Sequence, residues 1–272
     1  MVAPRLNDRV HIGIGGTSFS VASRDGAFLD MIRSHYGGFI EGPAGGAIDL
    51  AVDVTPPRET GSDEDLSVRS EAGEWILERG DFHATYNPRR RRGTVRQDAN
   101  RFSLDSVFRI VQSLELAAGS GLLLHAASAI RGERAFLFAG PSGAGKTTIS
   151  RLAPADVCLL TDEISCVRRS GAHFEAWGTP FSGELARPGE NRRARIGALY
   201  FLEQARENRI EALGAAEALR LLLKNVLFFA HDTALVRRIF DIAHEFVSAT
   251  PVFRLSFQPV ASVWNLIGEA DA

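Results

Sequence analysis

Gly140-Pro141-Ser142-Gly143-Ala144-Gly145-Lys146-Thr147, with Thr148 behind it, is a complete GxxxxGK[ST] pattern. Each part has a physical job in holding a phosphate. The glycines let successive backbone N–H groups turn inward around phosphate oxygens, the lysine reaches the β/γ-phosphates, and the threonine hydroxyl can ligate Mg²⁺. The flanks agree with this reading. Ala135-Phe-Leu-Phe-Ala139 is a short apolar run suited to a buried strand, and Thr148-Ile-Ser-Arg-Leu152 can begin a helix whose positive end faces an anion. Gly140, Ser142, Gly143, Ala144, Gly145, Lys146, Thr147 and Thr148 are therefore the expected contacts to a nucleoside triphosphate. Only Lys146 and Lys224 are lysines among 31 Lys and Arg residues. A lysine at the motif position suits a site that needs a compact point charge rather than a planar fork.

A second acidic signal follows closely. Val157-Cys-Leu-Leu-Thr-Asp162-Glu163 reads as a buried strand that delivers two carboxylates at its C-terminal end, where α/β proteins place ligands. One carboxylate can hold Mg²⁺ through water or beside the Thr147 hydroxyl, and another can take the proton of an attacking hydroxyl. Between Thr148 and Val157 there is room only for a short helix and a turn. The two motifs thus occupy consecutive elements, whereas ordinary P-loop NTPases place at least one more βα unit between them.

That order, with His125 upstream, resembles the catalytic domain of HPr kinase/phosphorylase, a bacterial serine kinase with a P-loop in a phosphoenolpyruvate-carboxykinase-like fold. The stretches that carry the resemblance are Leu122-Leu-Leu-His125-Ala-Ala, Phe138 to Thr147, and Leu160-Thr-Asp162-Glu163. It is similar above all to the shorter HPr-kinase-like proteins of peptide-modification gene clusters, such as those of lasso peptides. The resemblance implies an α/β P-loop kinase core, with Lys146 on the β/γ-phosphates, Thr147 on Mg²⁺, Asp162 as the general base and His125 near the reacting phosphate. Glu163 stands where the family has a second aspartate near the metal, so the metal number and the exact base stay open. It further implies ATP and Mg²⁺ as cofactors and a serine of a peptide or protein as acceptor. A small-molecule hydroxyl kinase, an ATPase and a nucleotide-dependent peptide-binding module remain the alternatives. Residues 1–100 do not look like the N-terminal domain of full-length HPr kinases, and no segment matches the one those enzymes use to engage HPr.

Bulk properties fit a globular chain. A net charge of −2 on 272 residues argues against a general nucleic-acid surface. No apolar run is long enough to span a bilayer and the first residues carry no signal region, so a cytoplasmic protein is expected. Cys158 and Cys166 lack metal-ligand spacing and read as reduced thiols.

The chain is expected to divide near Arg101, into a small mixed α+β domain (1–100) and a catalytic domain (101–272). In the first part Val10–Ile14 and Ile48–Val54 alternate as strands do, Gly26–Tyr36 has helical spacing, and Trp75–Leu77 with Phe82–Tyr86 form a strand pair. Pro56–Glu74 reads as an exposed loop. Arg89–Arg92 is either a solvated hairpin turn or a guanidinium patch for an acidic peptide or a phosphate. A helix is expected from Phe102 to Ala118, with Leu104, Val107, Phe108, Val111, Leu114 and Leu116 inward. Beyond the motifs come the polar loop Gly178–Glu184 with Arg187, Arg192, Arg193 and Arg195 after it, a strand at Ala198–Leu202, helices at Ala215–Phe229 and Ala234–Val247, a strand at Val252–Phe257, and a final helix. The apolar helix Ala215–Phe229 fits either a buried core or a homo-oligomer interface.

Overall fold

The structure, a computed structural model, describes residues 9–56, 65–186 and 188–268. It is a mixed α/β fold with two sheets. Two compact units are present: one takes the chain up to Glu115 together with Phe228–Asp232, the other takes Leu116–Leu227 and the chain from Thr233 onward.

In the first unit β1 (Arg9–Ile14), β2 (Thr17–Ser23), α1 (Gly26–His35), β3 (Ile48–Thr55), β4 (Ser67–Glu71), β5 (Glu74–Arg79), β6 (Phe82–Asn87) and β7 (Arg92–Asp98) precede α2 (Arg101–Gly119). The strands form one seven-stranded sheet in the order β1-β2-β3-β7-β6-β5-β4. The β2–β3 and β3–β7 pairings are parallel and the rest antiparallel. Parallel neighbours need a crossover, and α1 supplies it between β2 and β3. Asp25 starts that helix by accepting the Phe28 N–H at 3.0 Å. Its buried face is Phe28, Leu29 and Ile32. The inward residues expected for α2 are all buried, and the Phe108 ring lies 4.6 Å from Phe19 and 5.6 Å from Tyr36.

One expectation for this unit changes, and one is decided between its two alternatives. The stretch read as a loop from Pro56 to Glu74 contains strand β4, paired with β5 through Val68 opposite Leu77. Its polar composition disguised an edge strand that has a single buried residue, Val68; residues 57–64 lie outside the described part. The arginine run is the hairpin turn between β6 and β7. Asn87 Oδ1 accepts the Arg90 N–H, and Arg91 is held by Gly46 O and Glu115, while Arg89 and Arg90 are exposed.

The second unit holds β8 (Gly121–Arg131), β9 (Arg134–Ala139), α3 (Lys146–Arg151), β10 (Val157–Thr161), β11 (Ile164–Ser170), β12 (His173–Trp177), β13 (Arg193–Gln204), β14 (Arg209–Ala212), α4 (Ala215–Leu223), α5 (Thr233–Ala249) and β15 (Val252–Phe257). The sheet closes on itself: β8 pairs with β11, β11 with β12, β12 with β13, β13 with β9, and β9 with β8. Only the β9–β13 and β13–β15 pairings are parallel, so the expected α/β core is a three-strand parallel patch inside a largely antiparallel sheet. Phe138, Tyr200 and Trp264 fill the core behind α3, with Phe138 5.7 Å from Tyr200 and 5.4 Å from Trp264. The Trp264 indole N–H reaches Ile149 O at 3.0 Å and ties α3 to that core.

Two helix expectations change here. The helix expected to run to Phe229 stops at Leu223. Beyond it, Asn225 O accepts the His125 N–H and Leu227 N–H donates to Leu123 O, so this backbone pairs with the edge of β8 instead of continuing a helix. The final helix is a 3₁₀ segment, Ala261–Leu266.

Candidate functional site

Pairing register brings the sequence signals together. β10 and β11 both pair antiparallel with β8, Thr161 opposite Ser128 and Ile164 opposite His125. Thr161 and Ile164 are three residues apart, a span of about 11 Å at most. Reaching the far edge of β8 at that register would need about 14 Å. The two strands are therefore one interrupted strand along one edge of β8, with a register shift between Leu159 and Thr161 and a break at Asp162-Glu163. The sequence reading ended a strand at these carboxylates; instead, the strand resumes two residues later.

The break faces Ala126 and Ala127. On the other edge of β8, Ala126 pairs with Ala139, the last residue of β9 before the glycine loop. His125 on β8, the loop at Gly140–Thr147 and the pair Asp162-Glu163 thus stand at one level across three adjacent strands. Strands β9, β10, β13 and β15 all run in the same direction, so their C-terminal ends meet here. Gln204 at the end of β13 donates from Nε2 to Gly143 O at 2.6 Å. Phe257 at the end of β15 packs against Gly145, which has φ +110°, and a Cβ there would fall 2.6 Å from Phe257 Cζ.

Within the loop, the buried Lys146 ammonium donates to Gly140 O at 2.9 Å and Pro141 O at 3.2 Å. Burial lowers its pKa below the ordinary lysine value, and the negative charges of Glu163 and Glu184 oppose that shift. His125 is also held below its usual pKa, first by burial and then by the Lys146 charge, so its imidazole is neutral at pH 7. Thr147 and Thr148 lie half-buried in the first turn of α3, and Ser142 and Gly143 are exposed on the loop.

The carboxylate break is stitched to the stretch Thr179–Leu185. Asp162 accepts from Gly183 N–H through Oδ1 and from Leu185 N–H through Oδ2, both at 2.9 Å. Gly183 packs so closely that a Cβ would come within 3.2 Å of both Asp162 Oδ2 and Glu163 Cβ. Thr161 Oγ1 donates to Phe181 O and accepts from the N–H groups of Glu163 and Ile164, while Thr179 Oγ1 donates to Ile164 O. Thr161, Thr179, Gln204 and Phe257 were not singled out from sequence. Thr161 carries a local signal, a threonine before a two-residue turn, whereas the others are defined by distant pairing. Arg187 lies outside the described residues; Arg192, Arg193 and Arg195 are exposed, and Arg193 stacks over Trp177.

Thr147 and Glu163 offer a hydroxyl and a carboxylate, the hard oxygen donors that Mg²⁺ prefers. Among the described residues no three His, Cys, Asp or Glu side chains are grouped to hold a metal, so an ion here would draw its other ligands from phosphate and water. No described helix is long and apolar enough to cross a membrane. Cys158 and Cys166 form no disulfide.

Comparison with solved structures finds the HPr(Ser) kinase/phosphatase from Coxiella burnetii, at 10% identity and a TM-score of 0.24, covering 45% of this chain and 95% of that one. No curated protein matches. Residues 93–270, more than half of the chain, match the family described as SynChlorMet cassette protein ScmC. This chain belongs to the ScmC family of SynChlorMet cassette proteins.

Proposed function

We propose that the chain is a kinase that transfers the γ-phosphoryl group of ATP, with Mg²⁺, to a hydroxyl, most simply a serine of a peptide or protein. The observation that carries this reading is the shared level of the glycine loop, His125 and Asp162-Glu163 on adjacent strands. The resemblance of the same three motifs to HPr kinase supports it. In this reading the catalytic domain lies within residues 101–272 and the acceptor is a peptide of the kind encoded in modification clusters.

The loop amides from Ser142 to Thr147 would receive the β- and γ-phosphate oxygens. Lys146 would exchange its bonds to Gly140 O and Pro141 O for those oxygens. Thr147 and Glu163 would hold the metal, and Mg²⁺ when bound neutralises charge shared by the β- and γ-phosphates. The acceptor oxygen forms its bond to the γ-phosphorus as the bond to the β–γ bridging oxygen breaks. The electron pair leaves with ADP and the hydroxyl proton passes to Asp162. A loose transition state asks little basicity of that carboxylate. Its amide partners Gly183 and Leu185 fix its orientation and leave lone pairs for the proton. Neutral His125 can hydrogen-bond to the reacting phosphate without adding charge.

The test is incubation with γ-labelled ATP, Mg²⁺ and serine peptides encoded beside the gene. Label on a serine is the expected result. Release of free phosphate alone, with every peptide unlabelled, would sink the kinase assignment in favour of an ATPase.

A further inference from the structure

Among the described residues β4 is the last strand of the first unit's sheet, paired only with β5. The turn between them is Ala72-Gly73, with φ of +49° and +84°, a two-residue turn of type I′. The flanking residues Glu71 and Glu74 therefore exchange both backbone hydrogen bonds, and antiparallel alternation repeats this at Arg69–Ile76 and Ser67–Glu78. Val68 and Ser70, opposite Leu77 and Trp75, turn their N–H and C=O groups the other way, to the open edge. Among the described residues no further backbone hydrogen bond reaches those groups. A groove of about 620 Å³ lies there, lined by residues 66–70 and Trp75 and, from the same unit, by Phe229, His231 and Asp232. Side chains along a strand alternate between its two faces, so five consecutive residues line one groove from the edge.

We propose that the open edge of β4 docks an extended peptide segment, which adds a strand there and alternates apolar with basic side chains. This does not depend on the phosphoryl-transfer reading. N–H and C=O groups presented two residues apart along an edge match the backbone of another strand, whatever its side chains. The side chains then select. On one face Val68 and Trp75 are buried, and the half-buried Phe229 also lines the groove, so alternate residues of the added strand meet apolar surface. The residues between them fall on the opposite face, where Arg69 is already held by Glu71 at 2.9 Å and by Glu78. One guanidinium against two carboxylates leaves that face negative, and Asp232 adds another carboxylate to the groove. A lysine is attracted there, whereas a glutamate meets like charge.

The experiment uses the full chain and three end-blocked, labelled peptides. The first alternates lysine and valine, the second has glutamates in place of the lysines, and the third is the first with every amide N-methylated. Fluorescence anisotropy reads affinity, and hydrogen exchange reads which amides become covered. The lysine peptide should bind and slow exchange at Val68 and Ser70 about tenfold, more than at Arg69 and Glu71, whose amides already face β5. The glutamate and N-methylated peptides should bind about tenfold more weakly or not at all. Ser70→Pro removes an outward N–H and leaves the β4–β5 bonds in place, so it should abolish binding. Glu71→Lys should weaken the lysine peptide severalfold. Failure of the lysine peptide to bind, equal binding of the glutamate or N-methylated peptide, or binding that leaves exchange at Val68 and Ser70 unchanged would each overturn the proposal. So would protection of those two amides that grows with protein concentration in the absence of peptide, which would give the edge to a second copy of the chain. The N-methylated peptide leaves the protein unaltered, so the test holds even if Ser70→Pro fails to fold.

Discussion

The Gly183 N–H donates to Oδ1 of Asp162 at 2.9 Å, across 21 residues of chain. With the matching bond from Leu185 it makes Asp162 both the proposed proton acceptor and the anchor of the turn beside it. Asp162→Asn presents an NH₂ group to one of those amides. It should lower phosphoryl transfer at least a hundredfold while leaving nucleotide affinity within about threefold. Stability should fall by about 1–2 kcal/mol in chemical denaturation. Full transfer activity in this variant would remove Asp162 from the role of base.

Gly145 tests the loop. An alanine there combines a left-handed backbone angle of +110° with a Cβ driven into the Phe257 ring. Gly145→Ala should cost about 2–3 kcal/mol and weaken nucleotide binding more than tenfold. Gly143 also has positive φ, +79°, but open space around it. Gly143→Ala should cost only about 1 kcal/mol. Equal effects of the two in calorimetric titration and denaturation would refute the role given to Phe257.

Trp264 holds α3 from behind through its bond to Ile149 O. Trp264→Phe keeps most of the packing and loses that bond, for about 1–2 kcal/mol. Trp264→Ala also opens a cavity beside Phe138 and should cost about 3–5 kcal/mol. Because α3 begins at Lys146, nucleotide affinity should decline in the same order.

His125 sets a pH dependence. Its folded-state pKa lies below the unfolded value near 6.5, so between the two values the unfolded chain binds more protons. Its contribution to stability therefore rises with pH through that window and is lost as pH falls below it. Replacing it by Gln should flatten the acid side of the stability profile just under pH 6.5 and leave the profile above pH 7.5 parallel to the parent. Urea denaturation at a series of pH values reads this directly, and an unchanged acid limb would contradict the half-buried position of the imidazole within reach of the Lys146 charge.

Much of the framework was legible because it rests on local rules. The apolar run before Gly140 and the helical spacing in α1 and α2 each carry their own periodicity. Strand β4 was missed because an edge strand with one buried side chain leaves almost no pattern. The segment after Leu223 reads as helix because Val226, Leu227, Phe228 and Phe229 continue the apolar run of α4, yet the Asn225 carbonyl and the Leu227 N–H bond to β8.

By itself the sequence determined the glycine loop with its lysine and threonine, the carboxylate pair after an apolar run, and the short distance between them along the chain. Each is a contiguous pattern whose chemistry depends on neighbouring residues. Tertiary structure alone decided that Asp162-Glu163 interrupts a strand rather than ends one, that His125 shares its level, and that Gly183, Leu185, Gln204 and Phe257 complete the surroundings. The physical reason is that strand register is fixed by hydrogen bonds between segments tens of residues apart, and no local periodicity records which residue faces which.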